Sequence, residues 1–130
     1  MCIRDRSFSE MANSDSWLIS PSLDQIKDVM AEVGADRTVL SVYFRQPYVL
    51  DDASGLKAAG AIVAGFGVSN TALLDVLSGK ILAGGQTISP QGKLPFALAN
   101  NSKAIVDNQP DVPGYPEKDT LFPYGFGLRY

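Results

Sequence analysis

The chemistry open to this chain is limited first by its titratable residues. Histidine is absent and the only cysteine is Cys2. Catalysis by Ser-His-Asp or Cys-His groups is therefore excluded, as are zinc sites with imidazole ligands. Cys2 alone can form neither an internal disulfide nor a thiolate cluster. Glu10 is a lone carboxylate just ahead of a polar loop, and composition does not decide whether it is catalytic or an ordinary surface glutamate.

Two glycine-containing stretches could hold a phosphate group, but neither matches a nucleotide-binding motif in full. GFGVSN (65–70) follows a predicted strand and precedes a predicted helix, whose N-terminus could hold an anion. It lacks the third glycine of the dinucleotide fingerprint. GGQTISPQGK (84–93) lacks a Lys-Ser/Thr ending and does not open a helix. These patterns favour tight turns between strands and helices, and an unrelated flavodoxin-like nucleotide binder remains an alternative.

Composition bounds the size of the fold and the kinds of partner. With 130 residues, 45% of them hydrophobic and 19% charged, the chain suits one modest globular domain. A net charge of −3 and a pI near 4.7 argue against a nucleic-acid partner. No apolar run reaches the roughly 18 residues of a membrane span. Nothing in the sequence indicates a metal or another cofactor.

The pattern of apolar residues predicts the helices. Residues 8–21 are rich in polar residues and indicate a loop. Ser22 and Gln25 then form a Ser-x-x-Gln capping box, which begins a helix that ends at Gly34. Apolar residues along one face of that helix support this prediction: Leu23, Ile26, Met30 and Val33. A short helix is expected near residues 51–55, and Ser69 or Asn70 caps another.

Three apolar stretches predict strands that alternate with these helices. TVLSVYF (38–44) and AGAIVAGFG (59–67) are apolar on both faces, as in a buried parallel sheet. A third strand is expected near residues 93–98, at an edge or a bulge because Pro95 lacks an N–H. Residues 100–130 indicate an extended C-terminal wrap. The alternation predicts an α/β fold with three mainly parallel strands.

The expected sheet is too small for a complete domain, and the first residues are unusual. Met-Cys-Ile-Arg-Asp back-translates readily to the transposon end used in preparing DNA sequencing libraries. We therefore expect residues 1–6 not to belong to the natural protein, and residues 7–130 to be the C-terminal portion of a longer one. Three strands would leave an edge unpaired where earlier strands belong.

Several motifs together resemble a known family of enzymes. SPQGKLPFALA (89–99) and DVPGYPEKDTLFPYGFGLRY (111–130) resemble the end of the second domain of glycoside hydrolase family 3. VYFRQPYVLDD (42–52) is similar to that family's apolar strand and the turn that follows it. AGAIVAGFGVSNTALLDVLSGK (59–80) is similar to the next strand and helix. The resemblance implies the C-terminal part of a three-layer α/β sandwich with a mainly parallel, flavodoxin-like sheet.

The resemblance also implies a function. Family members pair a barrel domain with this sandwich domain and remove β-linked sugars from chain ends with retention. The nucleophile is an aspartate on the barrel, which this chain lacks, so the isolated chain is expected to be inactive. The expected partners are a β-linked oligosaccharide or glycoside and an N-terminal barrel of the same protein. The family favours a periplasmic or secreted location, and a non-catalytic sugar-binding or interface module remains an alternative.

Counting back from Leu18 along the family pattern places Glu10 where the general acid/base glutamate would lie. Asp15 is a weaker alternative for that role. Phe8 and Trp17 are expected to supply apolar surface beside the acid. The remaining aspartates are interpreted as turn, capping or helix-surface residues: Asp51, Asp52 and Asp75.

Overall fold

The fold is described from a computed structural model of the chain. The structure describes residues 6–14, 19–108 and 114–129, and Arg6 is described by its backbone alone. Helix α2 (Leu23–Val33) begins at the predicted capping box. The hydroxyl of Ser22 accepts from the Gln25 N–H, and the Gln25 side chain accepts from the Ser22 N–H. Gly34 ends the helix with φ of 98°, a conformation that favours glycine.

The longest pairing joins two strands predicted from the sequence. Strands β2 (Val39–Tyr43) and β4 (Ala61–Gly65) run parallel, with Val39 opposite Ala61 and Tyr43 opposite Gly65. The predicted burial on both faces is wrong: side chains of β2 alternate between exposed and buried positions, and those of β4 are exposed or half-buried. The predicted short helix near residues 51–55 is a 3-10 turn at Asp52–Ser54, followed by another at Leu56–Ala58. Helix α3 (Asn70–Leu77) follows β4 and is capped by Ser69.

The predicted loop over residues 8–21 is wrong at its start. Helix α1 (Phe8–Ala12) follows directly after the two-residue strand β1 (Arg6–Ser7). A second capping box, formed by Ser7 and Glu10, begins the helix, and Phe8 and Met11 are buried three residues apart. Strand β1 runs parallel to β3 (Tyr48–Val49), with Ser7 opposite Val49. The short apolar face and the cap favour a helix where polar composition alone suggested a loop.

The third strand predicted near residues 93–98 begins later than expected, and the bulge expected beside it is present as a register shift between Leu98 and Ala99. Only Leu98–Ala99 forms a strand, β5, and it pairs antiparallel with β6 (Thr120–Phe122). Pro95 cannot donate to a ladder, which is consistent with the late start of β5. Residues 100–130 are not extended throughout, because helix α4 (Ser102–Asp107) lies within them and buries Ala104.

The core gathers residues from both parallel ladders and from α1 and α2. Leu50 and Leu56 are fully buried at its centre. Aromatic rings extend through it, with Phe8 edge-on to Tyr48 at 5.7 Å and Phe44 5.6 Å from Tyr48 between ring centroids. The α/β class is confirmed: the described residues form helices around small open ladders, of which two are parallel and one is antiparallel.

Candidate active site

Glu10 lies on α1, three residues after the end of β1, and is exposed. Its Oε2 accepts a hydrogen bond from the Ser7 N–H at 3.1 Å. The Glu10 N–H in turn donates to the Ser7 hydroxyl at 3.1 Å. These two bonds hold the carboxylate against the first turn of the helix, because the N–H groups of Ser7 and Glu10 each find an acceptor in the other residue.

Asp51 contacts the same turn of α1 from a distant part of the sequence. Its Oδ1 accepts from the Ser9 N–H at 3.2 Å, and its Oδ2 accepts from the Ser9 hydroxyl at 2.5 Å. The sequence indicated a turn or capping residue, and the structure shows a cap on a helix 42 residues away. Asp51 makes no side-chain cap to the adjacent 3-10 turn.

The parallel ladder explains why Glu10 and Asp51 lie on neighbouring segments. Ser7 and Val49 are partners across β1 and β3. Glu10 therefore follows the carboxyl end of one strand, and Asp51 follows the carboxyl end of its neighbour. In open α/β sheets, ligands bind in the crevice outside this edge of the strands. The edge thus carries two acidic side chains, the exposed Glu10 and the half-buried Asp51, and both accept hydrogen bonds from the first turn of α1.

Two other predicted site features lie outside the described residues, namely Asp15 and Trp17. Phe8 is buried in the core, where its ring meets Tyr48. A cavity of about 400 Å³ opens between α1 and the start of α2, and Ser9, Asn13, Leu23 and Lys27 contribute to its lining. Glu10 is not among the residues that line this cavity.

Sequence reasoning missed the environment of Lys57. Its Nζ donates to Asp52 Oδ1 at 2.9 Å, to the Asn100 carbonyl at 2.7 Å and to Asn100 Oδ1 at 2.6 Å. Asp52 is thereby a surface partner of Lys57, with its own side chain 92% exposed. Asp75 pairs with Lys80 at 2.8 Å on the surface of α3. Within the described residues, neither Asp52 nor Asp75 shares a hydrogen-bond partner with Glu10.

Comparison with known proteins identifies the chain's relatives. It is 35% identical to the periplasmic beta-glucosidase/beta-xylosidase of Dickeya chrysanthemi, over 93 residues that make up 72% of the chain. It is 30% identical, over the same share, to beta-glucosidase C of Emericella nidulans and to a probable beta-glucosidase C of Aspergillus flavus. No family profile matches.

The chain is a relative of these β-glucosidases. This confirms the relationship that the sequence motifs predicted. The matched region amounts to 13% of the length of each of these β-glucosidase relatives. The chain therefore corresponds to a small part of proteins of that size.

Two further features of this β-glucosidase relative concern metals and membranes. Across residues 6–14, 19–108 and 114–129, no three Cys, Asp or Glu side chains are grouped so that they could hold a metal ion. Within the same ranges no helix has both the length and the apolar character to cross a bilayer.

Proposed function

We propose that this chain is the C-terminal part of the sandwich domain of an exo-acting, retaining β-glycosidase of glycoside hydrolase family 3. The observation that carries the proposal is the 35% identity with a protein named as a β-glucosidase/β-xylosidase, over 72% of the chain. Its substrates would be β-glucosides or β-xylosides, cleaved at the terminal O-glycosyl bond. The 13% share of the relative's length leaves room for a barrel domain elsewhere in the protein.

In this proposal the reaction is divided between the two domains. A retaining glycosidase needs two carboxyl groups about 5–5.5 Å apart. An aspartate on the barrel attacks the anomeric carbon and forms a glycosyl-enzyme. Glu10 protonates the departing glycosidic oxygen and then, as a carboxylate, takes a proton from the water that releases the sugar. This chain holds one member of the pair, so we expect no turnover from it alone.

The geometry of α1 supports Glu10 as the acid/base. The residue is exposed at the carboxyl edge of a parallel ladder, where α/β folds place their ligands. One oxygen is held by the Ser7 N–H. Within the described residues no hydrogen bond or ion pair involves the other oxygen, Oε1, and that oxygen could reach a substrate.

The test compares Glu10→Gln with wild type in the complete enzyme, recovered from the gene that encodes this chain. Two aryl β-glycosides serve as substrates, one with a good leaving group and one with a poor one. We expect kcat/KM to fall by about 10²–10⁴-fold for the poor leaving group and far less for the good one, because only the former needs a proton. Added azide should restore turnover of the good substrate by replacing the water that lacks a base.

Glu32→Gln is the matched control, since Glu32 is an exposed glutamate on α2. It should behave like wild type on both substrates. Small and equal losses for Glu10→Gln would remove Glu10 from the mechanism. Turnover by the isolated chain at the rate of the complete enzyme would overturn the division between two domains.

A further inference from the structure

Helix α1 is too short to hold its own orientation. It has five residues, whereas isolated helices shorter than roughly 12–15 residues are marginal in water. The direction in which Glu10 points therefore depends on what fastens the first turn to the rest of the molecule. Phe8 anchors this turn in the core through its contact with Tyr48. In the described residues, the side-chain hydrogen bonds that reach the turn from outside the segment come from Asp51, at the end of β3.

We propose that Asp51 is a positioning residue for Glu10, an inference that rests on the acid/base role proposed above. Asp51 binds both the N–H and the hydroxyl of Ser9. The Ser9 hydroxyl lies 3.3 Å from the Ser7 hydroxyl, and Ser7 makes both bonds of the capping box with Glu10. A continuous set of hydrogen bonds thus links Asp51 to the Glu10 carboxylate.

The position of Asp51 in the fold makes it a firm support. It directly follows Val49 and Leu50, both fully buried, so its backbone is fixed by the core. Ser7 is 2% exposed, which keeps water from competing for the intervening bonds. A carboxylate is also a favourable group at a helix N-terminus, because it complements the partial positive charge of the orphan N–H groups.

The neighbouring residue provides a matched control. Asp52 has the same side chain and the next position in the chain, but it is exposed and pairs with Lys57 instead of α1. Asp51→Ala should remove both bonds to Ser9, and Asp52→Ala should remove neither. Asp51→Asn keeps one oxygen for the Ser9 N–H and supplies an N–H to the Ser9 hydroxyl, so it should restore most of what Asp51→Ala loses.

The experiment measures kcat and KM for the two aryl β-glycosides in the complete enzyme. A displacement of roughly 1 Å at a catalytic group can lower the rate about 10²-fold. We therefore expect Asp51→Ala to lower kcat about 10- to 100-fold on the poor leaving group, with little change in KM and a much smaller loss on the good one. Ser9→Ala should show the same pattern more weakly, and Asp52→Ala should resemble wild type.

A double variant separates this proposal from the one it rests on. If Asp51 acts through Glu10, Asp51→Ala added to Glu10→Gln should cause no further loss on the poor leaving group. A full additional loss, or equal losses on both substrates in the single variant, would overturn the positioning role. A silent Glu10→Gln would instead overturn the proposed acid/base. If Asp51→Ala does not fold, Asp51→Asn and Ser9→Ala give the same comparison, and wild-type behaviour of Ser9→Ala would count against the proposal.

Discussion

Single side chains join distant segments of this fold, and Lys57 is one of them. Its ammonium group bonds to Asp52 and twice to Asn100, which lies 43 residues away. The side chain is only 20% exposed, so these bonds are partly shielded from solvent. Lys57 thereby joins the 3-10 turns after β3 to the segment that leads into α4.

We predict that Lys57→Met lowers the free energy of unfolding by about 1–3 kcal/mol, since hydrogen bonds to a charged group are lost and the Asn100 oxygens lose their donor. Lys103→Met is the control. Lys103 pairs with Asp107 on the surface of α4, and its side chain is 79% exposed, so its loss should cost less than about 0.5 kcal/mol. Urea denaturation of the dilute chain, followed by far-ultraviolet circular dichroism, measures both. If the two variants lose the same free energy of unfolding, the bonds of Lys57 stabilise the fold no more than a surface ion pair does.

Helices α2 and α3 differ in how closely they pack on the core, and we therefore expect their N-terminal caps to contribute differently to the stability of the fold. Helix α2 has 11 residues, a complete capping box and two buried side chains, Leu23 and Met30. Helix α3 is capped by Ser69 but has no fully buried residue in the chain as described. Because α2 packs on the core, losing its cap should lower the free energy of unfolding of the whole chain.

Ser22→Ala should destabilise the chain by about 1 kcal/mol, because the Gln25 N–H loses the hydroxyl that accepts its hydrogen bond. Ser22→Asp should retain most of the stability, since a carboxylate also accepts from an N-terminal N–H. Thermal unfolding midpoints of the two variants and wild type decide the matter. If Ser22→Ala melts with wild type, the capping box contributes nothing to the folded state.

At the scale of the whole molecule, much apolar surface lies open around β4 and α3. Phe66 is 48% exposed, Leu74 64% and Ile81 69%. Exposed apolar patches of this kind mark interaction surfaces or association. The larger protein to which the chain is proposed to belong could cover this surface, but the chain by itself cannot.

The isolated chain is therefore expected to self-associate at micromolar concentrations, and Leu74→Lys should shift it toward the monomer. Thr71→Lys is a matched control, because Thr71 is an exposed polar residue on the same helix. It adds the same charge without removing apolar surface. Sedimentation velocity distinguishes the species. A wild-type chain that stays monomeric, or a Thr71→Lys variant as monomeric as Leu74→Lys, would contradict this account of the surface.

Features that depend on neighbours within a few residues could be predicted from the amino-acid sequence. The capping box at Ser22 and Gln25, the end of α2 at Gly34 and the cap at Ser69 are confirmed. The two strands of the longer parallel ladder are also confirmed, within two residues at each end. Each of these follows from local hydrogen bonds or from an apolar run, and both can be read along the chain.

Contacts between distant segments depend on the packing of the folded chain and could not be predicted from local patterns. The bonds of Asp51 to α1 and the antiparallel pairing of β5 with β6 join residues far apart in sequence. A carboxylate, a serine and a short apolar pair do not specify such partners, since many positions could offer the same groups. These partners are set when the buried side chains of the core fix the strand ends. That packing places the Ser9 hydroxyl 2.5 Å from Asp51 Oδ2. The surroundings of Glu10 therefore depend on the packing of β1 against β3, which no local pattern in the sequence reveals.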